Sequence, residues 1–195
     1  MHILYLLLSF FATNNAGVST NDPLKIGIIY YSAVDKNLKA ELLQNIKQTY
    51  FCNVSEVPAL HTLPAAAYYK ARNRYRAPVL LQYLNAIKGF DKIIGITTKD
   101  ISTTNGKFYD WGIMGLGSCP GKSCVISTFR IRTSDKLLFN DRFVKVALHE
   151  LGHTMGLPHC TFSKTCFMEA AEGSIKSVDR ESRSLCSNCR RLLKY

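Results

Sequence analysis

Asp141-Arg-Phe-Val-Lys-Val-Ala-Leu-His149-Glu150-Leu-Gly-His153-Thr-Met-Gly156-Leu-Pro158-His159-Cys160 is the stretch from which the rest of the chain can be read. Phe143, Val146, Ala147 and Leu151 recur at three- and four-residue steps, the period of a helix with one buried side. Asp141 is placed to cap that helix. Gly156 can take the positive φ that ends it, and Pro158 stiffens the path beyond. His149 and His153 stand four apart and so share one helix face. Glu150 lies one position on, and His159 follows the glycine turn. Two imidazoles on a helix and a third after the turn can grip one divalent ion. Three neutral ligands leave the fourth position of a zinc ion for water, the catalytic rather than the structural arrangement. Ordinary residue usage produces this five-residue spacing in about one chain in 10⁵, so a core or solvent reading of the three histidines is set aside. Zinc would lower the pKa of water from about 15.7 toward 7. Glu150 would take up the proton and pass it to the leaving amine.

Outward from this helix the chain alternates. Residues 25–31 are an apolar, β-rich run, read as a buried strand. Leu38, Leu42, Leu43, Ile46 and Tyr50 mark an amphipathic helix, and residues 54–57 a short strand closed by Pro58. Val79, Leu80, Leu84 and Ile87 mark a second helix with Gly89 as its C-cap. Residues 92–98 are another strand and 125–131 a fourth. Arg130 and Arg132 give that fourth strand one wet face, which reads as an edge strand. Strand–helix–strand–helix–strand order predicts a mostly parallel α/β sheet. Lys70, Arg72, Arg74 and Arg76 alternate ahead of the second helix and read as a solvated loop and helix start, not a nucleic-acid patch.

The 195 residues suit one domain, and 47% hydrophobic with 20% charged residues is a globular composition. Lys+Arg 25 against Asp+Glu 14 gives a net charge of +11. That excess speaks to association, not chemistry. With no stacking platform or nucleic-acid motif beside it, nucleic acid is not an expected partner. The apolar run at 3–12 is too short for a bilayer and suits the core of a secretory signal over residues 1–19. No later run approaches a membrane span, and no long propeptide is expected before Lys25. Export would place the protein outside the cell or in the periplasm; without a working signal it would be cytoplasmic. Four of the seven cysteines, Cys160, Cys166, Cys186 and Cys189, sit in a C-terminal segment poor in periodicity. Such a segment needs cross-linking, by a metal or by two disulfides. Cys52 reads as a small buried apolar residue.

His149-Glu-x-x-His153-x-x-Gly156-x-x-His159 resembles the extended zinc motif of the metzincin metallopeptidases. The likeness narrows downstream. Cys160 follows His159 at once, Cys166-Phe-Met168 comes next, and seventeen residues separate Met168 from Cys186-Ser-Asn-Cys189. This is similar to the archaemetzincin family, as is the strand running through Gly95 to an acidic turn at Asp100-Ile101. The loop Thr161–Thr165 is one residue longer than the family's pattern. The resemblance implies a metzincin-like α/β (α+β) fold: a mostly parallel twisted sheet with an edge strand, packed helices including the zinc-binding helix, and a small irregular zinc-stabilised C-terminal subdomain. It implies one metallopeptidase domain over 20–195, with subdomains 20–159 and 160–195, expected to be monomeric. Two Zn2+ per chain follow: a catalytic ion on His149, His153 and His159, and a structural ion on Cys160, Cys166, Cys186 and Cys189. Glu150 would be the general base/acid, Met168 the hydrophobic floor under the site, and 125–131 the strand receiving an extended peptide or protein substrate. In an exported protein Cys119 and Cys124 could close a local disulfide. The alternative is a zinc-stabilised basic binding protein without proteolytic activity.

Overall fold

A computed structural model describes residues 22–58, 61–171 and 173–193. The signal-like run at 1–19 lies outside the described residues. β1 (Leu24–Tyr30) pairs in parallel with β2 (Cys52–Glu56) on one side and β5 (Lys92–Thr97) on the other. β9 (Ser123–Ser127) adds to β5 in parallel, and β8 (Gly115–Gly117) closes the row antiparallel. The order is β2-β1-β5-β9-β8. Ile26, Ile28, Ile29, Ile93, Ile94 and Ile96 are fully buried, because helices cover both faces, as parallel strands require. α1 (Lys36–Thr49) and α3 (Lys136–Thr154) pack on one face; α2 (Ala77–Asn85) packs on the other. The C-terminal segment, with short helices α4 (Ile175–Arg180) and α5 (Ser187–Leu192), joins the first face. There Phe167, Met168, Val178, Leu185 and Cys189 share one core with Leu42, Ile46 and Phe143.

Beside this sheet lies a second, of order β3-β4-β6-β7, which the sequence periodicity does not announce. β3 (Tyr68–Tyr69) and β4 (Arg74–Arg76) are too short to show a period. β6 (Ile101–Asn105) and β7 (Phe108–Ile113) form a hairpin around Gly106, whose φ is +54°.

Four expectations are corrected. First, residues 125–131 are not an edge strand: β9 runs between β5 and β8 and stops at Ser127, and a 3₁₀ turn over Phe129–Ile131 follows. Arg130 is turned back onto Asp100, and Arg132, which stays exposed, donates to the Thr98 carbonyl, so their alternation reflects pairing and not a strand face. The edges are β2 and, next to β9, β8, a glycine-rich triplet without a pattern. Second, Asp135, not Asp141, caps α3: its Oδ1 accepts from the N–H groups of Leu137 at 2.9 Å and Leu138 at 3.1 Å. Asp141 sits within the helix and pairs with Lys145 and Arg183. Third, α2 ends at Asn85 with Ala86 as its cap residue, and Gly89, φ +85°, turns the chain beyond it. Fourth, Arg74 and Arg76 are not solvated. Arg76 is buried and donates to Ser102, Thr104 and the Tyr109 carbonyl.

Arg74 and Arg130 converge on Asp100. Arg74 Nε donates to Oδ2 at 2.7 Å; Arg130 forks onto both oxygens at 2.7 and 2.9 Å. This carboxylate pins the second sheet to the turn that leads into α3. Removing its charge would leave two half-buried guanidinium groups under-paired. Asp100→Asn is expected to lower unfolding stability by about 2–3 kcal/mol, read by denaturant titration; an unchanged midpoint would contradict this role.

Candidate active site

The last turns of α3 carry His149 and His153, and the helix ends where Gly156 takes a φ of +89°. The Gly156 N–H donates to His153 O at 2.9 Å and Leu157 N–H to Gly152 O at 3.0 Å, the bonds that satisfy a helix C-terminus. The chain then brings His159 back against the other two rings, with centroids 4.6 to 5.3 Å apart. Ring orientation is fixed from outside the trio. His149 Nδ1–H donates to Phe167 O at 2.6 Å, and His153 Nδ1–H to Leu157 O at 2.8 Å. Only a protonated Nδ1 can meet a carbonyl, so each Nε2 keeps its lone pair. The two Nε2 atoms nonetheless stand 3.0 Å apart. Two lone pairs held face to face repel unless a cation lies between them. Nitrogens on a tetrahedral zinc at about 2.0–2.1 Å would be about 3.3 Å apart, so the donor set fits that ion. Burial, then neighbouring His153, pushes the His149 pKa down to about 3; burial also lowers that of His153. Both are ready as neutral ligands.

Glu150 lines one cleft with His149 and His159, and its side chain lies against β8. Burial pushes its carboxyl up to about 8, against a hydrogen bond from the Gly117 backbone N–H. β8 approaches α3 so closely that only glycine fits. A Cβ on Gly115 would stand 2.5–2.7 Å from the Glu150 side chain, and one on Gly117 2.5 Å from the Glu150 carbonyl. Below the histidines Met168 is fully buried, and a Cβ on Gly152 would lie 2.5 Å from its Sδ. Tyr50 donates to Leu148 O at 2.7 Å from the same side.

The four C-terminal cysteines form a second cluster, with all Sγ atoms within 4.8 Å of one another. Cys160 and Cys186 are 3.7 Å apart. A disulfide needs about 2.05 Å; sulfurs on a tetrahedral zinc at about 2.3 Å stand about 3.8 Å apart. The thiols therefore fit a metal, not two bridges. Burial raises the Cys186 thiol, but hydrogen bonds from the Cys189 N–H and the neighbouring thiols outweigh it and bring it down to about 7. The longer loop is taken up in a turn where Cys166 N–H donates to Ser163 O, and Cys166 keeps its place. Cys119 and Cys124 are free thiols, so the local disulfide is not formed. Cys124 is buried in the sheet. Cys52 is half-buried at the rim of the core, where burial raises its thiol to about 11.

An open cleft, about 790 Å³ with the solvent space it includes, lies over His149 and His159, between Trp111, Ile113, Met114 and Gly115 on one rim and Ala170, Ala171 and Gly173 on the other. Glu181, which no sequence pattern marks, lines an adjoining recess with His149 and Glu150.

A mostly parallel α/β core whose longest helix presents imidazoles to one point, beside a buried glutamate, is the architecture of a metallopeptidase. Residues 29–195 match the family described as Peptidase family M54. Over 177 residues the chain is 31% identical to an archaemetzincin of Halobacterium salinarum, covering 86% of this chain and 98% of that one. Over 132 residues it is 39% identical to an archaemetzincin of Methanopyrus kandleri, covering 67% and 72%. The crystal structure of the Methanopyrus kandleri archaemetzincin superimposes with a TM-score of 0.76 at 31% identity, covering 88% of this chain and 93% of that chain. That of the Archaeoglobus fulgidus archaemetzincin, complexed with malonate, gives 0.71 at 30% identity, covering 87% and 99%. The chain belongs to peptidase family M54, the archaemetzincins, and so to the zinc metallopeptidases.

Burial, then neighbouring Glu169, pushes the Glu181 carboxyl from 4.5 up to about 8. A carboxyl whose pKa is raised by folding binds its proton more tightly in the folded state. Its contribution therefore falls as pH rises through the window from about 4.5 to about 8. Glu181→Gln has no proton to lose. Its melting temperature relative to the unsubstituted protein is expected to climb between these limits and level off above them. A difference that stays flat with pH would contradict the burial of an ionisable Glu181.

Proposed function

We propose that this chain hydrolyses peptide bonds at the centre formed by His149, His153 and His159, with Glu150 as general base and acid, and that Cys160, Cys166, Cys186 and Cys189 hold a second, structural zinc. The observation that carries the reading is the pair of Nε2 lone pairs turned on one another at 3.0 Å, with Glu150 lining the same cleft. When bound there, zinc supplies Lewis acidity, polarising a peptide carbonyl and lowering the pKa of water to about 7.

The chain's own residues do the rest. The Phe167 and Leu157 carbonyls hold two rings in the tautomer that presents Nε2. The Gly117 N–H steadies the Glu150 carboxylate. Glu150 accepts the proton of the attacking water and returns it to the leaving amine, the paired roles a carboxyl within reach of the reacting atoms can take. Met168 excludes water from beneath the site. An extended peptide would pair with the outer edge of β8, which no other described strand covers, in place of the 125–131 strand first expected, and would lie in the cleft against Trp111 and Met114.

Two zinc ions per chain are expected by elemental analysis, and His159→Ala should lose about one of them. Glu150→Gln should keep both and lower kcat/KM at least about 10²-fold. Turnover that survives in the zinc-loaded Glu150→Gln protein would contradict the assignment.

A further inference from the structure

The recess beside the histidines lies between α3 and the C-terminal segment. Its apolar lining is Met114, Val146, Ala171 and Val178, and it holds about 280 Å³ of open space, part of it shared with solvent. Its polar side chains are His149 and Glu150, which belong to the centre, and Glu181, which does not. Glu181 is only 6% exposed, and its Oε1 is buried without a hydrogen-bond partner. The nearby cations are engaged elsewhere. Lys145 donates to Val178 O at 3.1 Å and pairs with Asp141 at 2.6 Å. Arg180 forks onto Glu169 at 2.9 and 2.8 Å. The fold thus leaves one buried carboxyl oxygen unanswered, on a residue that lines a narrow apolar pocket adjoining the reacting centre.

We propose that this recess receives the side chain next to the scissile bond, and that Glu181 makes it selective for lysine or arginine. The inference rests on the peptidase reading above. A basic side chain matches the recess in two ways. Its aliphatic stem covers Met114, Val146 and Val178, and its cationic head supplies the donors that Oε1 lacks. Leucine would fill the apolar part but leave the oxygen orphaned. Glutamate would set two carboxyl groups against each other. A site built around a buried polar group rejects a ligand that cannot pair with it more strongly than an apolar pocket rejects a wrong shape. Glu181 is therefore a specificity residue; it has no part in the proton transfer.

The test reads binding separately from turnover. Zinc-loaded Glu150→Gln protein is titrated by calorimetry with alanine-rich host peptides whose one variable position is Arg, Lys, Leu or Glu. The Arg and Lys peptides are expected to bind about tenfold or more tightly than the Leu peptide. Adding Glu181→Gln should bring them within about twofold of one another. Adding Glu181→Lys instead should favour the Glu peptide. Equal affinities before Glu181 is changed, a basic preference that survives Glu181→Gln, or no measurable binding of any peptide would each overturn the proposal. Selective binding alongside an unsubstituted, zinc-loaded protein that cleaves none of these peptides would instead count against the peptidase reading while supporting the role of Glu181.

Discussion

Two imidazole lone pairs, each locked in place by a carbonyl behind its own ring, face one another across 3.0 Å. Without a cation that contact is repulsive, and with one it becomes a ligand pair. Much of the C-terminal third of the chain serves to deliver those two carbonyls. The Leu157 carbonyl comes from the turn that Gly156 makes possible at the end of α3. The Phe167 carbonyl comes from a segment with no strand or helix of its own to hold it.

That segment is held by core packing of Phe167 and Met168 and by its own backbone bonds, with the cysteine cluster alongside. Cys166 and Met168 flank Phe167, and Cys160 follows His159 directly. The Cys160 N–H donates to Met168 O, which ties the two runs together. A structural metal on the four thiols would therefore fix the ring of His149 and the approach of His159 without touching either. The two clusters thus share one short segment, in which Phe167 and Met168 are buried in the main core.

Much of this was legible in the sequence, for physical reasons that can be named. α1, α2 and α3 announce themselves by period, and β1 and β5 by unbroken isoleucine-rich runs that only a sheet covered on both faces can bury. The His trio was legible because helix periodicity alone fixes the spacing of two of its members. What stayed hidden depends on distant partners. The edge strand β8 is three residues, two of them glycine, chosen for close approach to Glu150 and not for any strand propensity. Arg74, Arg76 and Arg130 look like solvated charges until Asp100, Ser102 and Tyr109 are folded against them. Asp135 and Asp141 are both plausible caps by residue type, and only the backbone chooses between them. Glu181 belongs to the same class: nothing local distinguishes a buried, unpaired glutamate from its solvated neighbours.

The centre depends on the tautomers of two rings. Long-range ¹H–¹⁵N spectra of the zinc-loaded protein read them directly, because a ring nitrogen bearing hydrogen and one bearing a metal resonate apart. His149 and His153 should both show hydrogen on Nδ1 and the metal on Nε2. Hydrogen on the Nε2 of either ring in the loaded protein would contradict the geometry on which the centre depends.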